Sequence, residues 1–335
     1  MQHRTFLYIA LILFTLSVCA NTKKSEADKE SVSDKAMTQH IENKHVKNQE
    51  VVIEKELTYT QHTLADTYPY QDTVRVFQWN KIKNCLATTD SLRDLNNNAW
   101  AVLQNKKNIN GEPPLTKIHH KNEYKSDTDN YGIDRKQSVP LYAAGDLETP
   151  ERYDYDGSLV KILETQNDFV RVQTTNFQGD YFIPIKYIHS IEGIPAFAKV
   201  IVVDRHNQNI ATFEKVGDVW RVRSMNPCTT GAHHPPMEKP TPLGLFVIQQ
   251  KEEKMEFYVD GTTRIEGYAP WANRFCDGAY LHGVPVDLPH TKIIEFSPTL
   301  GTIPRSHMCV RNAASHAKFI YDNFPIDESL VYVIE

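Results

Sequence analysis

The chain has 335 residues, of which 24% are charged and 40% hydrophobic, so it is long enough for two or three domains with a sizeable core. Its formal net charge of -5 lacks the basic excess that nucleic-acid binding requires, and no nucleic-acid partner is predicted. Five cysteines form an odd set without a CxxC spacing, which excludes a simple disulfide framework and leaves room for a free, functional thiol.

The N-terminus is organised like an export signal. One arginine precedes an apolar run that is too short to span a bilayer, which predicts a signal over residues 1–20 and a location in the cell envelope, facing the periplasm. Two processing outcomes compete: cleavage after Ala20, or cleavage before Cys19 with lipidation of its thiol. The run LSVC resembles a bacterial lipobox, so lipidation and a membrane anchor are favoured. The polar residues 21–50 are then a flexible linker.

Residues 51–134 are predicted to form a small, partly helical segment whose role the sequence does not indicate. Gly111 and the pair Pro113–Pro114 end the helical pattern of apolar residues in this segment. The apolar positions close to helical spacing are Leu92, Leu95, Ala99, Val102 and Leu103.

Residues 135–194 consist of short β-rich runs separated by Gly, Asn and Asp turns. This pattern predicts a small antiparallel barrel. The order VPLY, DFVRVQT and FIPIKYI resembles the bacterial SH3-like domains that are attached to cell-wall enzymes. This resemblance implies a wall-binding module at 135–194.

Residues 195–335 are predicted to be mainly strands, beginning with a hairpin that turns at Asn207–Asn209. The run EGYAPWANRF is interpreted as a loop. One helix is expected after Cys309, with Asn312 as its N-cap. Its dipole would favour a thiolate at Cys309.

Cys309 is surrounded in sequence by the residue types that make a thiol reactive. The run RSHMCVRN places a hydroxyl, an imidazole and two guanidinium groups around it. A nucleophilic thiol needs a base, and His282, followed by Gly283 at the end of a predicted strand, is the best candidate. A metal site at His233 and His234 is not supported by any ligand spacing, and neither a metal nor a cofactor is expected.

These two elements, HG and then S-x-x-C-V-R, resemble the signature of L,D-transpeptidases of the YkuD type. The hairpin VIVVDRHNQNIATFE and the segment TTGAHHPPMEKPTPLGLFVI extend the resemblance over residues 196–335. It implies a mainly β catalytic domain in which Cys309 attacks a peptidoglycan stem peptide, with His282 as the base and the carbonyl of Gly283 orienting it. The family usually has Gly where Met308 stands, which puts the oxyanion geometry in question.

Several further residues are candidate substrate contacts. Ser306 and His307 would shape the pocket beside Met308, and Arg311 would fix the loop or a substrate carboxylate. Tyr268 and Trp271 would contact a sugar-peptide substrate or serve in packing.

Three functions remain open at this point. The first is an L,D-transpeptidase that cross-links peptidoglycan stem peptides, and the second is an L,D-carboxypeptidase in which water replaces the acceptor amine. The third is a non-catalytic envelope protein that binds peptidoglycan through its SH3-like module. The predicted fold class is the same for all three: mainly β, with a short helix after Cys309.

Overall fold

The computed structural model describes residues 51–94, 99–193 and 195–335. The predicted signal, the linker and the lipidation site Cys19 lie outside the described residues. Within the described ranges, no helix is both long and apolar enough to cross a membrane.

Among the described residues of 51–134 there is a short 3-10 helix at Lys106–Asn108 and one α-helix, which lies earlier than the sequence pattern indicated. Leu92 belongs to its last turn, whereas Val102 and Leu103 lie in a buried strand, so the helical interpretation of their spacing is wrong. Leu95, another position of the predicted pattern, lies outside the described residues. The elements are β1 (Val52–Lys55), β2 (Thr67–Tyr70), β3 (Thr73–Val76), α1 (Trp79–Arg93), β4 (Trp100–Leu103), β5 (His119–Lys121) and β6 (Asp127–Asp129).

The middle region forms a five-stranded antiparallel sheet. Its strand order is β11-β10-β9-β4-β12, so β4 joins this sheet from outside residues 135–194. A two-stranded ribbon, β7 with β8, accompanies it. The elements of this region are β7 (Val139–Leu141), β8 (Arg152–Asp154), β9 (Leu159–Gln166), β10 (Phe169–Thr174), β11 (Asp180–Pro184) and β12 (Ile188–Ser190).

Residues 195–335 build two sheets and one helix, which confirms the predicted mainly β fold with a helix after Cys309. The predicted hairpin is present, and residues 205–208 form its turn. EGYAPWANRF lies in a twelve-residue strand, so its interpretation as a loop is wrong. The elements are β13 (Lys199–Asp204), β14 (Asn209–Val216), β15 (Val219–Pro227), β16 (Gly244–Val247), β17 (Gln250–Tyr258), β18 (Ile265–Cys276), β19 (Ala279–His282), β20 (Val286–Asp287), β21 (Val310–Arg311), α2 (Ala314–Asn323) and β22 (Ser329–Ile334).

The first of these sheets has the order β1-β15-β14-β13-β22-β16, and the second the order β17-β18-β19-β21. Residues of both sheets and of α2 share one buried core, which includes Val203, Leu281, Val310, Ile320 and Val333. Burial of these aliphatic side chains fixes β19, which ends at His282, and β21, which directly follows Cys309.

The region before residue 195 is built into the same structure. β1 pairs in parallel with β15 and becomes the edge of the six-stranded sheet. Helix α1 and this sheet share a second core, in which Leu86 packs with Phe213, Trp220 and Tyr332. The segment 51–134 therefore contributes a strand and a covering helix to the catalytic half.

Candidate active site

Two short parallel strands bring His282 and Cys309 to one edge of the second sheet. β19 pairs with β21 so that Leu281 lies opposite Val310 and His282 opposite Arg311. Cys309 directly precedes β21, and alternation along the strand puts its side chain on the same face as that of His282. Leu281 and Val310 point the other way, into the core.

His282 is held as a neutral base. Its Nδ1 donates a hydrogen bond of 2.6 Å to the carbonyl oxygen of Gly283, which leaves Nε2 unprotonated and able to accept a proton. Burial lowers the pKa of His282 to about 4, although the Gly283 hydrogen bond acts in the opposite direction.

Gly283 is required by its packing. A Cβ at Gly283 would lie 2.8 Å from Cγ of Pro270 and 3.1 Å from Cα of Ala314. The Gly283 N–H also donates to Pro270 O at 2.8 Å. This close approach keeps the orienting carbonyl in place.

Cys309 rests as a thiol. The residue keeps some exposure, but the protein around the sulfur removes enough water to raise the pKa of the thiol above its ordinary value. The Tyr280 N–H and the charge of Arg311 oppose this shift. Sγ donates to Gly278 O at 3.6 Å, so the neutral thiol has a partner before any base acts.

The predicted helix-dipole effect on Cys309 is wrong, because α2 begins at Ala314, beyond β21. The Ala314 and Ser315 N–H groups donate to Glu295, to its carbonyl oxygen at 2.8 Å and its carboxylate at 3.0 Å. Asn312 is not the N-cap either: its side-chain amide donates to Val310 O at 3.0 Å, within the catalytic loop.

Arg311 supplies the nearest cation. Its charge lowers the pKa of both Cys309 and His282, which favours the thiolate and disfavours a premature imidazolium. The side chain is largely buried, and its Nε has no hydrogen-bond partner.

Met308, the residue that stands where the family usually has Gly, adopts φ +80. Its backbone keeps the left-handed conformation that suits the glycine usual at this place in the family. The flexible Met308 side chain packs against the main core.

Thr241 and Gly231 explain how this conformation is held. The buried hydroxyl of Thr241 donates to Met308 O at 2.8 Å and accepts from Gly231 N–H at 2.8 Å. A Cβ at Gly231 would lie 2.8 Å from Cα of Met308, so only glycine lets the two backbones approach. Because the carbonyl and N–H of a trans peptide point in opposite directions, fixing Met308 O also fixes the Cys309 N–H.

Ser306 and His307 occupy different environments. Ser306 is buried, and its hydroxyl donates to Cys309 O, closing the loop upon itself. His307 is half exposed and lies 3.6 Å from Glu238 and 3.7 Å from Asp260. Of the two, only His307 lies where it can meet solvent or substrate.

The two aromatic candidates lie on β18. Tyr268 is buried, and its hydroxyl donates to Thr291 O at 2.8 Å. Trp271 contacts the Tyr321 ring at 5.5 Å and Lys318 at 4.6 Å, both on α2. These contacts make both rings part of the packing around the site.

Two residues that the sequence analysis left unassigned are built into the site. Tyr280 precedes His282 by two positions, so strand alternation alone places it on the catalytic face. Thr241 lies in the segment TPLG, which is part of the family resemblance. Only its contacts with Met308 and Gly231 indicate that it holds the loop before Cys309.

The remaining cysteines are not alternative nucleophiles. In the part of the chain that the structure describes, Cys85, Cys228 and Cys276 are free and buried, and burial raises the pKa of each thiol. The described residues hold no group of three or more His, Cys, Asp or Glu side chains that could bind a metal ion.

Comparison with known protein families identifies one segment of the chain. Residues 198–333 match the family model of the YkuD L,D-transpeptidase catalytic domain. This domain is a YkuD L,D-transpeptidase catalytic domain. The YkuD match ends before β22 does and leaves the first 197 residues outside it.

Solved structures similar to the chain include an L,D-transpeptidase from Mycobacterium smegmatis, with 16% identity over 56% of this chain and 71% of that one, and a TM-score of 0.33. An L,D-transpeptidase from Mycobacterium tuberculosis is 17% identical over 59% of this chain and 77% of that one, with a TM-score of 0.32. A fused zinc-dependent amidase/peptidase/peptidoglycan-binding protein from Clostridium acetobutylicum is 19% identical over 41% of this chain, with a TM-score of 0.30. The chain spans about half, 51%, of the Clostridium protein. No curated protein matches it.

Proposed function

We propose that this protein is a cysteine-dependent L,D-transpeptidase that cross-links peptidoglycan stem peptides in the cell envelope. The observation that carries the proposal is the pairing of β19 with β21, which puts a neutral His282 with a free Nε2 on the face of the Cys309 thiol. The YkuD match of residues 198–333 supports the same chemistry.

In the first half-reaction, Nε2 of His282 takes the proton from Sγ of Cys309, and the sulfur attacks the carbonyl carbon between the third and fourth residues of a stem tetrapeptide. The tetrahedral oxyanion receives a hydrogen bond from the Cys309 N–H. As the intermediate collapses, His282 returns its proton to the leaving amine, the terminal D-amino acid departs and a thioester remains.

In the second half-reaction, the amine of another stem peptide attacks the thioester. Nε2 of His282 accepts a proton from this amine, the sulfur leaves and Cys309 regains its proton, which completes the cross-link. If water takes the place of the amine, the same steps give an L,D-carboxypeptidase. Arg311, whose charge acts on the Cys309 thiol, is proposed to hold a substrate carboxylate near the thiol.

Ser306, His307 and Met308 are proposed to shape the substrate cleft, and Tyr268 and Trp271 to support its wall. Cys19 is proposed as the lipid attachment site, with residues 21–50 as the linker. Residues 135–194 are proposed to be an SH3-like domain that brings the enzyme to the cell wall.

The test is incubation of the purified protein with a synthetic stem tetrapeptide and an amine acceptor, followed by mass spectrometry. Cys309→Ala should abolish both the thioester and the cross-linked product, whereas Cys85→Ala, which removes a thiol in α1, should keep them. Release of the terminal residue without cross-linking would support the carboxypeptidase. An inactive parent protein would leave the non-catalytic binding function.

The base is tested in the same assay. His282→Ala should slow thioester formation by roughly 10² to 10⁴. His307→Ala tests the rival base. His189→Ala is the matched control, because His189 lies in β12, outside residues 198–333, with its ring on Asp327, and should leave the rate unchanged. A large loss in His307→Ala with little effect of His282→Ala would transfer the base role to His307.

A further inference from the structure

The region that precedes the YkuD domain reaches the active-site strand through one lysine. Nζ of Lys106 donates to the Tyr280 hydroxyl at 2.6 Å and to Gln250 Oε1 at 3.1 Å. The Tyr280 hydroxyl in turn donates to Glu252 Oε1 at 3.0 Å. Lys106 lies outside residues 198–333, so nothing in the family match assigns it a role.

Tyr280 is a direct neighbour of the nucleophile. The β19–β21 register puts it opposite Cys309, and its N–H interacts with the thiol. The charge of a Cys309 thiolate is also felt at the Tyr280 hydroxyl. Whatever holds this ring therefore holds one wall of the site.

A buried carboxylate from the same preceding region fixes Lys106 in place. Asp156 is fully buried, and its Oδ1 accepts from the N–H groups of Asn105 at 2.7 Å and Lys106 at 3.1 Å. Its Oδ2 accepts from the Arg274 guanidinium and from the Asp277 N–H at 3.0 Å, both in the YkuD domain.

The turn that carries Asp156 is shaped for this contact. Gly157 has φ +91, and a Cβ there would lie 1.9 Å from Phe275 O, so no other residue could dock as closely. The Gly157 carbonyl also accepts from Val247 N–H at 3.0 Å. Asp156 and Gly157 therefore join the preceding region tightly to the YkuD domain.

We propose that Lys106 is a positioning residue of the active site, which acts through Tyr280 to hold the wall beside Cys309 and to offset the charge of Glu252. Without the ammonium group, the partly buried Glu252 carboxylate would remain on the Tyr280 hydroxyl with Lys106, its ion-pair partner at 4.0 Å, removed, and this hydroxyl senses the charge of Cys309. A negative charge near the sulfur disfavours the thiolate. The YkuD domain thus depends on the preceding region for the reactivity of its nucleophile.

The charged and titratable groups around the thiol come from several elements. Arg311 and His282 flank it on β21 and β19, and Tyr280 lies opposite. Behind Tyr280 lie Glu252 on β17, Arg274 on β18 and Lys106 from the preceding region. Of the three groups behind Tyr280, only Lys106 comes from outside the YkuD domain.

Alkylation of Cys309 by iodoacetamide as a function of pH tests the inference on the full chain, with the modified residue identified by peptide mass spectrometry. Lys106→Met should move the midpoint of the rate profile to higher pH and slow alkylation severalfold at neutral pH. Lys106→Arg keeps a cation and donors and should restore most of the parent rate. Lys107→Met is the matched control and should not move the midpoint.

If Lys106→Met does not fold, a second variant still tests how the charge of Glu252 affects the alkylation of Cys309. Glu252→Gln keeps an acceptor for Tyr280 but removes the charge, so it should speed alkylation at neutral pH. The double variant Lys106→Met/Glu252→Gln should return towards the parent midpoint.

Three results would overturn the inference. The first is that Lys106→Met is alkylated with the parent midpoint and rate. The others are that Lys107→Met shifts the pH midpoint as much as Lys106→Met does, or that Glu252→Gln leaves the midpoint unchanged. A purely structural role would lower the melting temperature without moving the midpoint. The inference rests on the proposed function only in taking Cys309 as the nucleophile. Alkylation needs no peptidoglycan substrate, so a failed transpeptidase assay and a failed alkylation result are distinguishable.

Discussion

Met308 holds a backbone conformation that costs free energy in any residue with a Cβ. A left-handed φ is strained by about 1–2 kcal/mol for a non-glycine residue. Three contacts offset this cost: the Thr241 hydroxyl on its carbonyl, the approach of Gly231 and the side chain against the core. The chain therefore keeps the orientation of the Cys309 N–H although it lacks the usual glycine.

Substitutions at Met308 should separate backbone strain from packing. Met308→Val places a β-branched residue at φ +80 and should lower the free energy of unfolding by about 1–3 kcal/mol and slow thioester formation. Met308→Gly should keep the parent acylation rate, because the backbone already has the conformation of glycine. Urea unfolding and carbapenem acylation measure the two effects.

Met255→Val is the matched control for this prediction, since Met255 lies in β17 without a positive φ. It should cost less stability than Met308→Val. A markedly faster acylation in Met308→Gly would mean that Met308 distorts the oxyanion site, contrary to the conformation described here.

At the scale of elements, α2 is capped by a distant side chain. Glu295 accepts from Ser315 N–H at 3.0 Å and from the Ser315 hydroxyl, while its carbonyl accepts from Ala314 N–H. A carboxylate at this end is also favoured by the helix dipole. A cap from twenty residues upstream has no local sequence signal, which explains why Asn312 was the apparent candidate.

Glu295→Ala should therefore destabilise the protein by about 1 kcal/mol, the usual cost of losing an N-cap. Urea unfolding at neutral pH measures this loss. Glu295→Gln keeps the backbone carbonyl and a side-chain oxygen as acceptors and loses only the charge, so it should retain most of the stability. If Glu295→Ala unfolds at the parent urea concentration, the cap contributes nothing to stability.

The sequence predicted the elements whose signal is local and missed those set by distant contacts. The hairpin β13–β14, the His-Gly strand end and the helix after Cys309 were predicted from nearby residues. EGYAPWANRF contains Gly and Pro and so resembles a loop, yet pairing with β17 and β19 makes it a strand. Lys106 and Asp156 carry no motif, and only the folded structure brings them to the site.

At the scale of the whole molecule, several buried ionisable groups act in opposite directions. Burial lowers the pKa of His282 to about 4 and that of His316 to about 3, so unfolding takes up protons below about pH 6.5. Burial raises the pKa of Asp154 to about 6, so unfolding releases a proton between about pH 4 and 6. The net pH dependence of stability is a balance of these groups, and single variants are needed to separate them.

His282→Ala and Asp154→Asn should therefore change the pH dependence of unfolding with opposite signs. As the pH falls from about 6.5 to 4, the parent should lose stability relative to His282→Ala by up to about 1.4 kcal/mol per pH unit, because only the parent resists protonation of a buried imidazole. As the pH falls from about 6 to 4, the parent should gain stability relative to Asp154→Asn, because the folded carboxyl is protonated first. Urea unfolding at pH 7, 6, 5 and 4.5 gives both differences, and slopes of the same sign would contradict the burial of one of the two groups as a neutral species.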